Sequence, residues 1–106
     1  MNKEPLLKGQ IDLLLLAVVA RGPAHGYAII ELLRLRSRGS FDLPEGTVYP
    51  ALHRLEADGL LCSAWSELGG RRRRIYQLTS RGQRELARRQ EEWNRFVKAV
   101  NSTVGI

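Results

Sequence analysis

Three observations in this 106-residue chain predict a mostly α-helical fold that carries a small β-hairpin, an α+β arrangement extended by a long terminal helix. Apolar residues recur at helical spacing in three stretches between residues 10 and 57. Between residues 60 and 78 the period changes to that of two paired strands. From residue 80 onward, Leu86, Gln90, Trp93, Val97 and Val100 are spaced 4, 3, 4, 3, the seam of a two-heptad coiled coil.

Residues 1–9 read as a loose arm holding Lys3 and Lys8. From Gln10 to Arg21, Ile11, Leu14, Leu15, Val18 and Val19 make a wide apolar face, and Gly22-Pro23 ends the helix. A helix apolar nearly all round is covered on more than one side. Ala24-His25-Gly26-Tyr27 opens a second helix that runs to about Arg36, with Tyr27, Ile30 and Leu33 facing inward. Ser37 to Ser40 is a loop, anchored at its far end by Phe41 and Leu43. In the third helix Val48, Leu52 and Leu55 fall at i, i+4 and i+7, one apolar stripe, while Thr47, Tyr49, Pro50, His53 and Arg54 point elsewhere. Pro50 implies a distorted or separate first turn, and Asp58-Gly59 stops the helix because glycine takes the left-handed backbone without steric cost. Leu60–Glu67 is a strand, Leu68-Gly69-Gly70 a turn and Arg71–Leu78 the return strand, with Trp65 packed under the hairpin. Thr79 caps a last helix from Ser80 to about Asn101, and Gly82 in its first turn costs helix propensity. Such a helix reaches roughly 33 Å at 1.5 Å per residue. That is longer than a body this small can cover, so a partner subunit is expected to pack on it. The organisation read from these elements is residues 1–79 as a nucleic-acid-binding unit and 80–106 as a dimerisation helix.

Composition narrows the function. The chain carries 17 Lys+Arg against 11 Asp+Glu, a net charge of +6, and 14 of its basic residues are Arg. This excess favours a polyanion as partner, and the planar guanidinium suits phosphate and guanine edges. Residues 68–84 hold six Arg (71, 72, 73, 74, 81 and 84) and no acid. Four consecutive arginines repel one another, a cost that an anionic partner offsets. The single Cys62 rules out an internal disulfide and fits a reducing cytoplasm. Leu13–Ala20 behind Lys3 and Lys8 mimics a signal-peptide core, but Asp12 abuts the run and a helix stop follows at once. His25, His53 and Cys62 are too few and too scattered for a zinc site, no phosphate-binding glycine loop is present, and no catalytic set stands out. The expectation is therefore no enzyme, no metal and no cofactor.

Three helices followed by a hairpin is the order of a winged helix-turn-helix, in which the third helix enters the major groove of DNA and the hairpin tip meets backbone or minor groove. Gly22-Pro23-Ala24-His25-Gly26-Tyr27, the block from Glu45 through Thr47-Val48-Tyr49-Pro50 to Glu56, Gly59-Leu60-Leu61, and Tyr76-Gln77-Leu78-Thr79-Ser80-Arg81-Gly82 resemble the PadR family of bacterial transcriptional regulators. The likeness covers about residues 9–93 and is to the short subfamily with a single C-terminal helix. It implies a homodimeric repressor acting on a palindromic operator in double-stranded DNA. Carried over by position, Thr47, Tyr49, Pro50, His53 and Arg54 face DNA from the third helix. His25 and Tyr27 support or touch the backbone, Lys8 reaches phosphate, and Arg71, Arg72, Arg73 and Arg74 form the wing. The dimer is expected to use Leu14, Leu15, Leu86, Gln90, Trp93, Val97 and Val100. In some relatives an aromatic on the last helix lines a pore that stacks planar drugs. Trp93 and Phe96, facing Leu14 and Leu15, fit either such a ligand site or a plain dimer core. Two rival readings remain: an adaptor whose basic wing grips an acidic protein, and an RNA binder. The second is disfavoured because the hairpin shows arginines in place of exposed aromatics.

Overall fold

The computed structural model describes residues 8–106, so Lys3 and most of the expected arm lie outside the described residues. Lys8 and Gly9 are not arm but the first two residues of helix α1 (Lys8–Ala20). The all-round apolar character of α1 has the predicted consequence: Leu15, Leu16, Val18 and Val19 are buried, and Ile11, Leu13, Leu14 and Ala17 pack on the core from its edge.

The chain then forms an element the sequence did not disclose. Ala24–His25, expected to open the second helix, make a two-residue strand β1 that pairs antiparallel with a later strand, Ala24 opposite Tyr76 and His25 opposite Ile75. Helix α2 (Gly26–Arg36) therefore starts at Gly26 and buries Ile29, Ile30 and Leu33. Tyr27, expected inward, is 55% exposed. At about 100° per residue it stands on the flank of the stripe that those three make.

Helix α3 (Glu45–Ala57) runs unbroken through Pro50, against the expectation of a separate first turn. With Pro44 as N-cap, the Thr47 and Val48 N–H groups both donate to the Pro44 carbonyl at 3.0 and 3.1 Å and close the first turn. Pro50 deprives the ladder of one donor on an exposed side, where water can take its place. Val48, Leu52 and Leu55 are fully buried, as their spacing predicts. The helix stops in a Schellman motif: the Leu60 N–H donates to the Leu55 carbonyl (2.9 Å) and the Gly59 N–H to the Glu56 carbonyl (3.0 Å), with Gly59 at φ +79°.

Strands β2 (Leu61–Ser66) and β3 (Arg73–Leu78) form the hairpin, and β1 completes a three-stranded sheet in the order β1-β3-β2. Arg71 and Arg72 precede the return strand, after a single 3-10 turn at Leu68–Gly70. Cross-strand register places Ser63 opposite Tyr76 and Trp65 opposite Arg74. Alternation then puts Leu61, Ser63 and Trp65 on one face with Arg74, Tyr76 and Leu78. Tyr76, 2% exposed, fills the core beneath that face, and burial pushes its phenol pKa up.

Helix α4 (Ser80–Val104) begins with Thr79, whose hydroxyl accepts from the Gly82 N–H at 2.9 Å and donates to the Gly59 carbonyl at 2.7 Å. Gly82 pays for its weak propensity with space: a Cβ there would collide with the Leu60 carbonyl, so the glycine lets α4 lie directly on the end of α3. Arg88 and Arg89 both donate to Glu85 one turn away, and those bonds hold its carboxyl at about 2. At 25 residues the helix is about 37 Å long. Leu86 is its last buried residue. Beyond it the helix borders the start of α1, with Trp93 and Phe96 beside Gly9, Gln10 and Leu13, and the molecule measures 53 × 36 × 20 Å.

Candidate nucleic-acid interface

Two elements meet at the candidate site, and each is positioned by the core behind it. Once Val48, Leu52 and Leu55 are buried, Pro50 and His53 are left exposed on the far side of α3, with Thr47 and Tyr49 half-buried at its flank. The Tyr49 ring lies across the start of α2 so closely that a Cβ on Gly26 would strike it, which is why a glycine stands there. The hairpin flanks this surface. A concavity of about 320 Å³ is lined by Tyr49 and His53 of α3, Trp65 of β2, Arg72 to Arg74 at the start of β3, and His25 of β1. A neighbouring hollow of about 400 Å³ brings Arg71, Arg72 and Arg73 beside His25, Tyr27, Glu45 and Tyr49. Residues from four separate stretches thus line one continuous, strongly basic groove.

Comparison with known proteins settles the family. Residues 15–88, from α1 into the first turns of α4, match the family model described as the Transcriptional regulator PadR-like family. The chain belongs to the PadR-like family. A transcriptional regulator of Mycobacterium tuberculosis, Rv3488, is 39% identical over 79 residues, covering 74% of this chain and 71% of that one. A PadR family transcription regulator from Clostridium difficile R20291 superposes with a TM-score of 0.74 at 38% identity, covering 89% of this chain and 96% of that one. The structure of smu.1704 from Streptococcus mutans UA159 superposes with a TM-score of 0.86 at 31% identity, covering 98% and 94%. PadR-family proteins are DNA-binding transcriptional regulators and not enzymes.

Within this PadR-like regulator the expected site residues do not all lie in the groove. Arg54 has another partner. Its guanidinium donates to Asp12 of α1 through both terminal nitrogens, at 2.9 and 2.8 Å, and Asp12 is 3% exposed. The fork expected to face DNA clamps α3 to α1, with Arg89 of α4 a further 3.9 Å from the same carboxylate. Arg74 lines the groove but is also tied to the protein, donating to Ser63 at 2.7 Å and lying 3.9 Å from Glu56. Lys8 is exposed at the start of α1 and lines neither hollow. Of the residues expected at a dimer contact, Leu15 (0% exposed) and Leu86 (8%) are taken up by the chain's own core, whereas Gln90, Trp93 and Val100 are exposed. Trp93 and Phe96 stack in a tilted pair, 5.7 Å between centroids. They line a crevice of about 330 Å³ with Gly9, Gln10 and Leu13, not with the expected Leu14 and Leu15. Among the described residues no three His, Cys, Asp or Glu come together as metal ligands, and no helix is long and apolar enough to cross a membrane.

Sequence reasoning missed Trp65, which is 54% exposed in the groove and not packed beneath the wing. The Arg72 guanidinium lies 4.3 Å and that of Arg74 5.1 Å from its ring centroid. The strand alternation puts Trp65 on the face of Ser63, beside Tyr49 and His53 of α3, where its ring stays exposed.

His25 does not cap α2 through its side chain. Its pKa is depressed, first by burial and then by Arg73 and Arg71. A base whose folded pKa lies below the ordinary value of about 6.5 takes up fewer protons folded than unfolded, so its contribution is complete above that value and is lost on acidification through the folded pKa. Stability is expected to fall between pH 7.5 and 5.5, and a His25→Gln variant to lose less over the same interval. Urea midpoints at the two pH values check this; equal losses in both proteins would exclude His25 as the source.

Proposed function

We propose that this PadR-like regulator is a cytoplasmic repressor that binds a palindromic operator as a homodimer. Residues 1–79 supply the DNA-binding unit and 80–106 the dimerisation helix. The observation that carries this reading is the groove itself: Tyr49 and His53 of α3 line it beside the arginine wing and His25, with Thr47 half-buried and Pro50 exposed on the same helix. In that arrangement α3 enters the major groove while Arg71, Arg72 and Arg73 follow the phosphates. Tyr27 borders the same hollow and touches backbone. Lys8, exposed at the start of α1, reaches phosphate.

Phosphate neutralisation has a measurable signature, because each contact releases condensed counterions and steepens the fall of affinity with salt. Fluorescence anisotropy on a duplex from upstream of the protein's own gene, between 50 and 300 mM salt, should give a steep negative log–log slope. Arg71→Gln/Arg73→Gln should flatten it by about 2, close to 1 per lost contact. A variant slope equal to that of the unaltered protein would remove the wing from the interface.

One observation favours an effector. The crevice between the start of α1 and α4 is floored by Leu13 and walled by Trp93 and Phe96, surfaces suited to a flat aromatic molecule. A planar aromatic ligand there would bear on α4 and relieve repression. Quenching of Trp93 fluorescence by such compounds, together with release of the duplex, tests it; neither effect would rule it out.

A further inference from the structure

We propose that Trp65 is the positioning residue of the wing: it fixes Arg72 against the groove before DNA arrives. The proposal rests on the DNA-binding reading and deepens it. Four consecutive arginines after a glycine pair are expected to leave a wing tip free to wander, since neither Gly69 nor Gly70, at φ +71° and +76°, carries a Cβ to restrict the backbone. The side chains behind the tip are not free. From α3, Glu56 accepts from the Ser63 hydroxyl at 2.7 Å, and Ser63 in turn accepts from Arg74 Nε at 2.7 Å. Arg74 stands directly opposite Trp65 across the hairpin, with its guanidinium over the indole. The same indole carries Arg72 at 4.3 Å, the shorter of the two cation–π distances. A chain of contacts therefore runs from the helix that faces the groove, through Ser63 and Arg74, to Trp65 and out to Arg72.

The chemistry of the stack matters. An arginine held face-on to an aromatic ring keeps its N–H edge free, and that edge is the part that donates to phosphate oxygens. Stacking on Trp65 thus restrains a long, rotamer-rich side chain without using up its donors, so less order has to be imposed when DNA binds. Trp65 itself adds no charge. Its removal should lower affinity without changing how many phosphates are neutralised, and this separates positioning from phosphate contact.

The test is a cycle of Trp65→Ala, Trp65→Phe and Arg72→Gln, each in the full chain and each titrated with the upstream duplex across salt. Trp65→Ala is expected to bind about tenfold more weakly with an unaltered log–log slope and an unaltered thermal midpoint. Trp65→Phe, which keeps a ring for the guanidinium, should stay within about threefold of the unaltered protein. Arg72→Gln should lose affinity and flatten the slope by about 1, and in that background Trp65→Ala should cost less than threefold. Full additivity of the two changes, or binding by Trp65→Ala within twofold of the unaltered protein, would overturn the proposal. Should Trp65→Ala fail to fold, the Phe and Gln variants decide: equal losses from both would count against it. An unaltered protein that ignores the duplex would instead sink the DNA reading, and this inference with it.

Discussion

Arg54→Ala is expected to cost about 3 kcal/mol of folding stability, the lower end of what breaking a buried ion pair costs. Asp12 sits on a helix that is otherwise apolar nearly all round, and its side chain is only 5% exposed. Such a carboxylate persists because the Arg54 fork satisfies both of its oxygens at 2.8 and 2.9 Å. Cutting Arg54 back to a methyl leaves a charge in a poorly solvated place, with only Arg89 among the described residues, 3.9 Å away, to compensate. Arg54→Lys should recover little, because a point charge cannot satisfy both oxygens. Asp12→Leu/Arg54→Leu should recover most of the loss, since apolar residues replace the whole pair and nothing stays unpaired. Urea denaturation of the four proteins checks this. A loss under about 1 kcal/mol for Arg54→Ala would show that the pair is merely a surface contact. Weakened DNA binding by Arg54→Ala alone would therefore not identify a base contact; it has to be read against stability.

The difference between what could and could not be read from the sequence follows the range of the interactions involved. Val48, Leu52 and Leu55 were legible because one helical period fixes all three, and Gly59 because only a left-handed residue ends α3 in this way. Thr79 was legible as a cap because its partner, Gly82, lies three residues on. The Arg54–Asp12 pair is not legible because its partners lie 42 positions apart and nothing local marks Asp12 as buried. The strand at Ala24–His25 has only two residues, too few to show a period, and exists through its pairing with Tyr76 and Ile75. Gly82 looked like a cost within its own helix, whereas its use is the close approach to Leu60. Leu86 and Val100 fall on one heptad seam, yet one is buried and the other is 40% exposed, because the helix outruns the body between them. Periodicity gives the stripe. It does not say where the support ends.

That stripe carries the second large effect. Trp93, Phe96, Val100 and Val104 are 42, 58, 40 and 60% exposed, and with Val97 they recur at i, i+3, i+4, i+7 and i+11. This is a single apolar face along the second half of α4. In the proposed homodimer a second copy of the chain covers this face. In a two-fold contact every substituted residue appears twice. Phe96→Asp/Val100→Asp removes two apolar side chains per subunit, each worth about 1.5–3 kcal/mol when fully buried, and introduces carboxylates that must be desolvated. Even at half burial the loss over both subunits is about 3–6 kcal/mol, a fall of a hundredfold or more in dimer affinity. The variant is expected to sediment as a folded monomer at micromolar concentration. Its helical circular dichroism should be nearly unchanged, because neither side chain belongs to the core. Bound to a palindromic duplex, it should lose the gain that comes from joining two half-sites, which exceeds tenfold for any linked pair of this kind. A variant that still sediments as a dimer would place the subunit contact elsewhere on the molecule, and α4 would then need another partner for its exposed face.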